Sequence, residues 1–187
     1  MKKYSVLAIV LVTQFFIHSC TNDTSNPVNE EEVITTVSLT LTGGGQEVTL
    51  TSRDLDGDGA DLPLIEVSGV LKTNTVYEGT VSILNETVSP SIDLTSEVRE
   101  EGVDHQLFFQ TPNTTLGTFT YNDTDTNGEP IGLEFKLETG VTPTSGTIFV
   151  TLKHLPNKSA AGVSLGDITN AGGATDADVS FPVNISN

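Results

Sequence analysis

Apolar and polar residues alternate along most of the chain after residue 32, and this period of two is typical of β-strands with one buried face. The segment Val33–Leu41 is rich in valine, isoleucine and threonine, which suit a pleated, half-buried surface. In Ile131–Leu137 the apolar side chains share one face and the charged side chains the other, as in an antiparallel sheet with one wet face. Similar runs predict further strands at Val48–Leu50, Val76–Leu84, Gln106–Gln110, Gly117–Tyr121, Thr147–His154 and Val179–Ile185.

One segment departs from this period. Residues 93–102 begin with the N-cap candidate Asp93, continue with an acidic first turn and end at Gly102, so we predict one short helix there. Short strands between turns of Gly, Asn, Asp and Pro, with almost no helix, predict an all-β fold, an immunoglobulin-like antiparallel β-sandwich. The Cys…Trp…Cys hallmark is absent because the chain has no Trp, and a small β-barrel is the alternative. No internal repeat divides residues 33–187, which we interpret as a single domain.

The N-terminus has the organisation of a signal peptide over residues 1–19. Two lysines precede an apolar run over residues 4–17, shorter than the about 20 residues that a membrane-spanning helix needs. The run ends in IHSC at 17–20, which is similar to a bacterial lipoprotein cleavage site, although His18 stands where a small residue is usual. We therefore predict cleavage before Cys20 and acylation of this cysteine, with ordinary secretion and an incidental Cys20 as the alternative.

Composition describes an acidic, extracytoplasmic protein. Residues 20–32 lack periodic apolar positions and predict a flexible, acylated tether. Its run Glu30–Glu32 is interpreted as a solvated charge run, or else as a contact site. The net charge is −17, and loss of the two signal lysines makes it more negative by two. Such a field repels nucleic acid and anionic lipid headgroups, so the predicted link to a membrane is the lipid.

Two acidic loops are candidate Ca²⁺ sites. Alternate acidic or amide residues ending in Gly gather the oxygen ligands that Ca²⁺ prefers. The second loop also fits the D-x-[DN]-x-[DN]-G-x₅-E pattern through Glu134, but that pattern belongs between helices and Glu134 lies on the wet face of a predicted strand. The alternative is that Asp, Asn and Gly are simply common turn residues. The candidate ligands are Asp54, Asp56 and Asp58 in the first loop and Asp123, Asp125 and Asn127 in the second.

A histidine pair is the second candidate site. His105 and His154 both lie on apolar faces near the ends of predicted strands. If those strands are neighbours, the two imidazoles are placed to bind a transition metal or to serve as axial ligands of haem. The alternative is that each is a hydrogen-bonded histidine at the edge of the core.

Catalytic patterns are absent from the sequence. No Ser, His and Asp order indicates a triad, no thiol survives acylation, and Gly43-Gly44-Gly45 lacks the strand-to-helix context of a phosphate loop. The sequence therefore predicts no enzyme. Two functions stay open: a non-catalytic module that binds an unidentified ligand or envelope protein, with structural Ca²⁺ loops, and a metal- or haem-handling protein that uses His105 and His154.

Four segments carry a family resemblance. They are EGVDHQLFF at 101–109, the loop at 123–133, TLKHLPNKS at 151–159 and GDITNAGG at 166–173. Together they resemble a family of small envelope lipoproteins of Bacteroidota, often described as having the type 1 periplasmic binding fold, and the likeness extends over about residues 33–183. That fold needs repeated βαβ units, which the strand pattern does not predict. The resemblance implies an outer-membrane lipoprotein that faces the periplasm or the cell surface, beside an uptake receptor.

Overall fold

Eleven strands, one α-helix and two short 3-10 helices (Val163–Leu165 and Ile168–Asn170) form the regular secondary structure of the described residues, which in this computed structural model are 33–57 and 59–187. The predicted signal peptide, the tether with Cys20, and Asp58 lie outside the described residues. No helix among the described residues is long and apolar enough to cross a membrane. The strands are β1 (Thr36–Gly43), β2 (Gln46–Arg53), β3 (Leu64–Val67), β4 (Leu71–Lys72), β5 (Val76–Asn85), β6 (Ile92–Asp93), β7 (His105–Gln110), β8 (Gly117–Tyr121), β9 (Glu134–Thr139), β10 (Thr144–His154) and β11 (Ala174–Ser186), and the helix α1 is Thr95–Glu100.

The strands form two sheets, which confirms the predicted all-β sandwich. The larger sheet has the order β3-β2-β1-β5-β9-β8, with the short β6 also paired to β5. The smaller sheet has the order β4-β11-β10-β7. Every pairing is antiparallel except that of β4 with β11, so repeated βαβ units are absent from the described residues.

The core lies between the two sheets and is built from the apolar halves of the alternating strands. Strand β1 is typical, because its apolar side chains are buried and the residues between them are partly exposed. Burial of each such side chain contributes about 1.5–3 kcal/mol relative to exposure. The largest side chains that the core buries fully include Tyr77, Phe135 and Phe181, together with Leu39, Leu41, Leu50, Ile83 and Leu107.

Three predicted elements begin later than expected, and the first strand is one of them, since β1 begins at Thr36 rather than at Val33. The helix begins at Thr95 rather than at residue 93, because the Asp93 carboxylate accepts a hydrogen bond from the Thr95 N–H (2.9 Å) in the turn before it. The strand predicted over Ile131–Leu137 begins at Glu134, because Gly132 has φ +94° and interrupts the extended backbone. Ile131 and Leu133 are nevertheless buried, as the alternation predicts.

The two outer edges of the smaller sheet differ. At the β7 edge, the Leu107 N–H donates to Ile131 O (2.7 Å) and the Tyr121 hydroxyl donates to Leu107 O (2.7 Å), so the loop before β9 covers this edge. Burial raises the pKa of Tyr121 to about 12, which keeps this hydroxyl protonated as a donor. At the opposite edge, β11 pairs within the described residues only with the two residues of β4, at Ile185 and Ser186.

Candidate metal centre

The two predicted histidines are neighbours. His105 is the first residue of β7 and His154 the last residue of β10, and the antiparallel register places them directly opposite each other. Their rings stack with centroids 4.7 Å apart and planes inclined by 13°. His105 is buried and His154 is partly exposed. The condition set by the sequence, that the two strands be neighbours, is therefore met.

Asp176 joins the histidines through a β-bulge. Leu152 pairs with Ala177 and Lys153 with Thr175, so Asp176 is the extra residue of the bulge in the β10–β11 register. A bulge re-aims the side chain of the extra residue. Without it, strict alternation would place Asp176 on the outer face with the exposed Asp178, whereas the Asp176 side chain is only 7% exposed. The bulge thus adds a carboxylate to the histidine pair.

The tight turn before β11 brings this strand beside the end of β10. Gly173 has φ +68°, and a Cβ atom at this position would lie 2.2 Å from the carbonyl oxygen of His154. Only glycine tolerates both the left-handed backbone and so close an approach. The glycine pair that precedes β11 in the sequence therefore serves the site, since it allows the chain to return against His154.

The main chain fixes the orientation of the His105 ring. Its Nδ1 lies 3.2 Å from the carbonyl oxygen of Glu101, which accepts a hydrogen bond only if Nδ1 carries the proton. In the neutral ring, the Nε2 lone pair then faces Asp176, whose Oδ2 is 3.7 Å away. Metal-binding histidines usually donate their second N–H to a carbonyl or carboxylate in this way.

The three side chains have the composition and spacing of a metal site. One ligand atom from each of His105, His154 and Asp176 lies within 4.8 Å of the other two. In tetrahedral zinc sites the ligand atoms are about 3.3 Å apart, because each lies about 2.0 Å from the ion. Binding of an ion would require the three atoms to approach to that spacing. Two imidazoles and one carboxylate suit Zn²⁺, Cu²⁺ or Ni²⁺ and leave a fourth position open.

The stacked rings fit a single ion better than haem. Axial imidazoles of one haem stand on opposite sides of the porphyrin, with the macrocycle between them. Here the two rings are stacked directly on each other with centroids only 4.7 Å apart, so no porphyrin plane lies between them.

The second acidic loop is held together by its own carboxylates. Asp123 accepts hydrogen bonds from the N–H groups of Gly132, Leu133 and Glu134 at 2.8–3.1 Å. Asp125 accepts bonds from the Asn127 and Glu129 N–H groups and forms an ion pair with Lys158.

The hydrogen bonds to Asp125 lower the pKa of its carboxyl group. Burial raises this pKa, but the hydrogen bonds from Lys158, Glu129 and Asn127 outweigh it, so the pKa lies below its ordinary value of 3.8. A cation in this loop would compete with those donors. Ca²⁺ binding by Asp123, Asp125 and Asn127 stays a prediction.

The first acidic loop is arranged differently. The N–H of Asp61 donates to Asp56 Oδ2 (3.2 Å), and this bond, together with the Asp54 side chain, holds the pKa of Asp56 below its ordinary value. Asp54 Oδ1 is buried and has no hydrogen-bond partner among the described residues. Because Asp58 lies outside the described residues, Ca²⁺ binding by this loop also stays a prediction.

Sequence reasoning found the histidines and missed Asp176 and Lys158. The histidines were visible because each stands at the apolar end of an alternating run. Asp176 was not, because a bulge leaves no trace in the period. Searches of protein-family models, of curated proteins and of solved structures each returned no match for this chain.

Proposed function

We propose that this protein is a lipid-anchored, non-catalytic binding protein of the bacterial envelope whose ligand is a transition-metal ion. The observation that carries the proposal is the convergence of His105, His154 and Asp176 from three different strands. The ion would take His105 Nε2, one nitrogen of His154 and a carboxylate oxygen of Asp176. The anchor at Cys20 rests on the sequence, and so does the envelope location.

Two features support binding of an ion over a purely structural polar cluster. The contact between His105 Nδ1 and Glu101 O orients this ring through the main chain, so the ligand nitrogen is positioned before any ion arrives. His154 is partly exposed, which gives an ion a path to ligands that are otherwise buried. An ion would also bind both the neutral Nε2 and the carboxylate oxygen, which are hydrogen-bond acceptors and cannot bond to each other.

The experiment is titration of the metal-free protein with Zn²⁺, Cu²⁺ and Ni²⁺ by calorimetry. We expect one ion per chain, at least tenfold weaker binding in His154→Gln and in Asp176→Asn, and weaker binding at acid pH because the imidazoles must lose their protons. Asp178→Asn is the matched control, since Asp178 lies two residues along the same strand with its side chain exposed on the outer face. This variant should bind like the natural protein.

Ca²⁺ separates the two classes of site in the same titration. A Ca²⁺ response that the His154 and Asp176 variants leave unchanged would assign Ca²⁺ to the acidic loops. If Asp178→Asn weakens zinc, copper and nickel binding as much as Asp176→Asn does, the ions are held by general acidity and the proposed site is wrong.

A further inference from the structure

The open edge of β11 is a second feature that the metal site does not explain. Strand β11 has 13 residues and pairs with β10 along its length, but on its other side it pairs within the described residues only with β4, at Ile185 and Ser186. A strand edge with unpaired N–H and C=O groups is a template for another strand. The stretch at issue is Ala177–Ser180.

The direction of the backbone groups follows from one hydrogen bond and from the register of the strand. The N–H of Thr73 donates to Ser186 O (2.8 Å), so Ser186 directs its main-chain groups away from β10. Alternate residues of a strand direct these groups the same way, and the register between Ala177 and Ile185 is regular. The main-chain groups of Asp178, Ser180 and Pro182 therefore also point away from β10. Because the main chain of Pro182 points away from β10, its missing N–H removes no hydrogen bond to β10. On the other side of β11, Pro182 cannot donate a hydrogen bond, so the edge that can pair with another strand ends before it.

A cleft of about 640 Å³ runs along this stretch, which is the size range of ligand-binding sites. Its far wall is formed by residues between 33 and 37 and by residues of β2, of β3 and of the segment between them. Leu62 and Val33 line it and are 92% and 54% exposed, so apolar surface lies uncovered beside the strand edge. Among the other residues that line the cleft are Val37, Ser52, Asp54, Ile65, Asp178 and Val179.

We propose that this edge accepts an extended peptide of a partner protein by β-strand addition, and that the peptide alternates apolar and basic residues. Residues of an added strand that lie beside Val179 would share its inward face, where Val37 and Ile65 line the cleft. Residues beside Asp178 would share its outward face and meet a carboxylate. A peptide that fits this cleft therefore alternates apolar residues, which face inward, with basic residues, which face outward.

Charge determines which peptide this edge takes. The chain carries a net charge of −17, and Asp54 and Asp178 line the cleft itself. A second copy of the chain, or its own run Glu30–Glu32, would bring like charge to this surface, whereas lysine or arginine side chains are attracted to it.

The experiment measures binding of a fluorescein-labelled hexapeptide of alternating valine and lysine by fluorescence anisotropy. We expect saturable binding, at least tenfold weaker binding to Ser180→Pro, and unchanged binding to Ser180→Ala. Ser180→Pro removes one N–H that faces the edge and, like the natural Pro182, should leave the β10 ladder and the melting temperature nearly unchanged. If this variant fails to fold, the peptide with N-methylated valines tests the same hydrogen bonds from the other side and should bind at least tenfold less tightly.

Three results would overturn the proposal. They are equal binding of the N-methylated peptide, equal binding of a valine–glutamate peptide, and binding that occurs only after residues 21–32 are deleted, which would make the chain's own segment the occupant. Dimerisation through the same edge, abolished by Ser180→Pro in sedimentation experiments, would likewise assign it to a second copy. Peptide binding should persist with a chelator and in His154→Gln, so failure here is separable from failure of the metal site.

Discussion

Lys158 shows how one buried side chain supports a site that it does not touch. Its ammonium donates to Gly102 O, to Pro130 O (2.8 Å) and to Asp125 Oδ2 (2.9 Å), and the side chains of Lys158 and Asp125 are 6% and 1% exposed. Gly102 follows Glu101, whose carbonyl oxygen orients His105. Lys158 therefore ties the second acidic loop to the turn that orients His105.

We expect Asp125→Asn to lower the free energy of unfolding by about 3–5 kcal/mol at pH 7, because it leaves the buried ammonium of Lys158 without its counter-charge. Urea unfolding measures this difference. Lys136→Met is the control, since Lys136 forms an exposed pair with Glu78 (3.4 Å) that should contribute no more than about 1 kcal/mol. Equal losses in the two variants would contradict the role given to the buried pair.

The same variant has a defined pH dependence. The pKa of Asp125 is lower in the folded protein than its ordinary value of 3.8, so its carboxylate stabilises the fold fully above about pH 5. This contribution is lost as the pH falls through 3.8 towards the folded pKa. The stability difference between the natural protein and Asp125→Asn should therefore shrink as the pH falls below about 5.

At this scale the sequence predicted two of the three side chains of the candidate metal site. His105 and His154 were recognisable because both stand on apolar faces near strand ends. Lys158 was not, because a lysine in a loop of an acidic protein is ordinarily solvated, and its burial depends on partners 28 to 56 residues away.

The bulge in β11 is the element on which the site depends. Deletion of Asp176 would leave Ala177 opposite Leu152 and Thr175 opposite Lys153 as consecutive pairs, which is an uninterrupted ladder. We expect this deletion variant to fold with a melting temperature within a few degrees of the natural protein, and to lose zinc binding. Circular dichroism and calorimetry measure the two properties.

Deletion of Asp178 is the control for the bulge. It would shift the register by one residue and turn the apolar residues on one side of the deletion outward, so it should destabilise the fold strongly. If the two deletions are equally damaging, the bulge is not a separable insertion in the strand.

Long alternating strands were predicted correctly, and short ones were missed. β1, β5 and β10 have 8, 10 and 11 residues, enough for the period of two to be visible. β3 and β4 have only four and two residues, and they exist because they pair with β2 and β11. Tertiary pairing, which no local pattern records, therefore decides where the shortest strands form.

For the whole molecule, the strand pattern was sufficient to predict two packed sheets, but not which edge of the smaller sheet pairs least within the described residues. That depends on which loop covers β7 and on how short β4 is, and both are results of chain packing. The predicted location depends on the N-terminal residues, which lie outside the described part.

We expect radioactive palmitate to label the protein in a bacterial host with lipoprotein processing enzymes, and the label to be absent from Cys20→Ser. The reason is that Cys20 is the only cysteine in the chain and stands at the predicted cleavage site. Membrane fractionation should place the natural protein with the membranes and Cys20→Ser in the soluble fraction. Label that persists in Cys20→Ser would contradict attachment at this residue.

The site joins the first residue of β7, the last residue of β10 and the bulge of β11, three points that are distant along the chain. Strand termini are where a sheet frays first, and local opening there exposes main chain to proteases. An ion bound by residues from these three points would oppose fraying, because the free energy of binding stabilises the closed state relative to the frayed state. The lifetime of the protein in the presence of proteases would then follow the supply of metal.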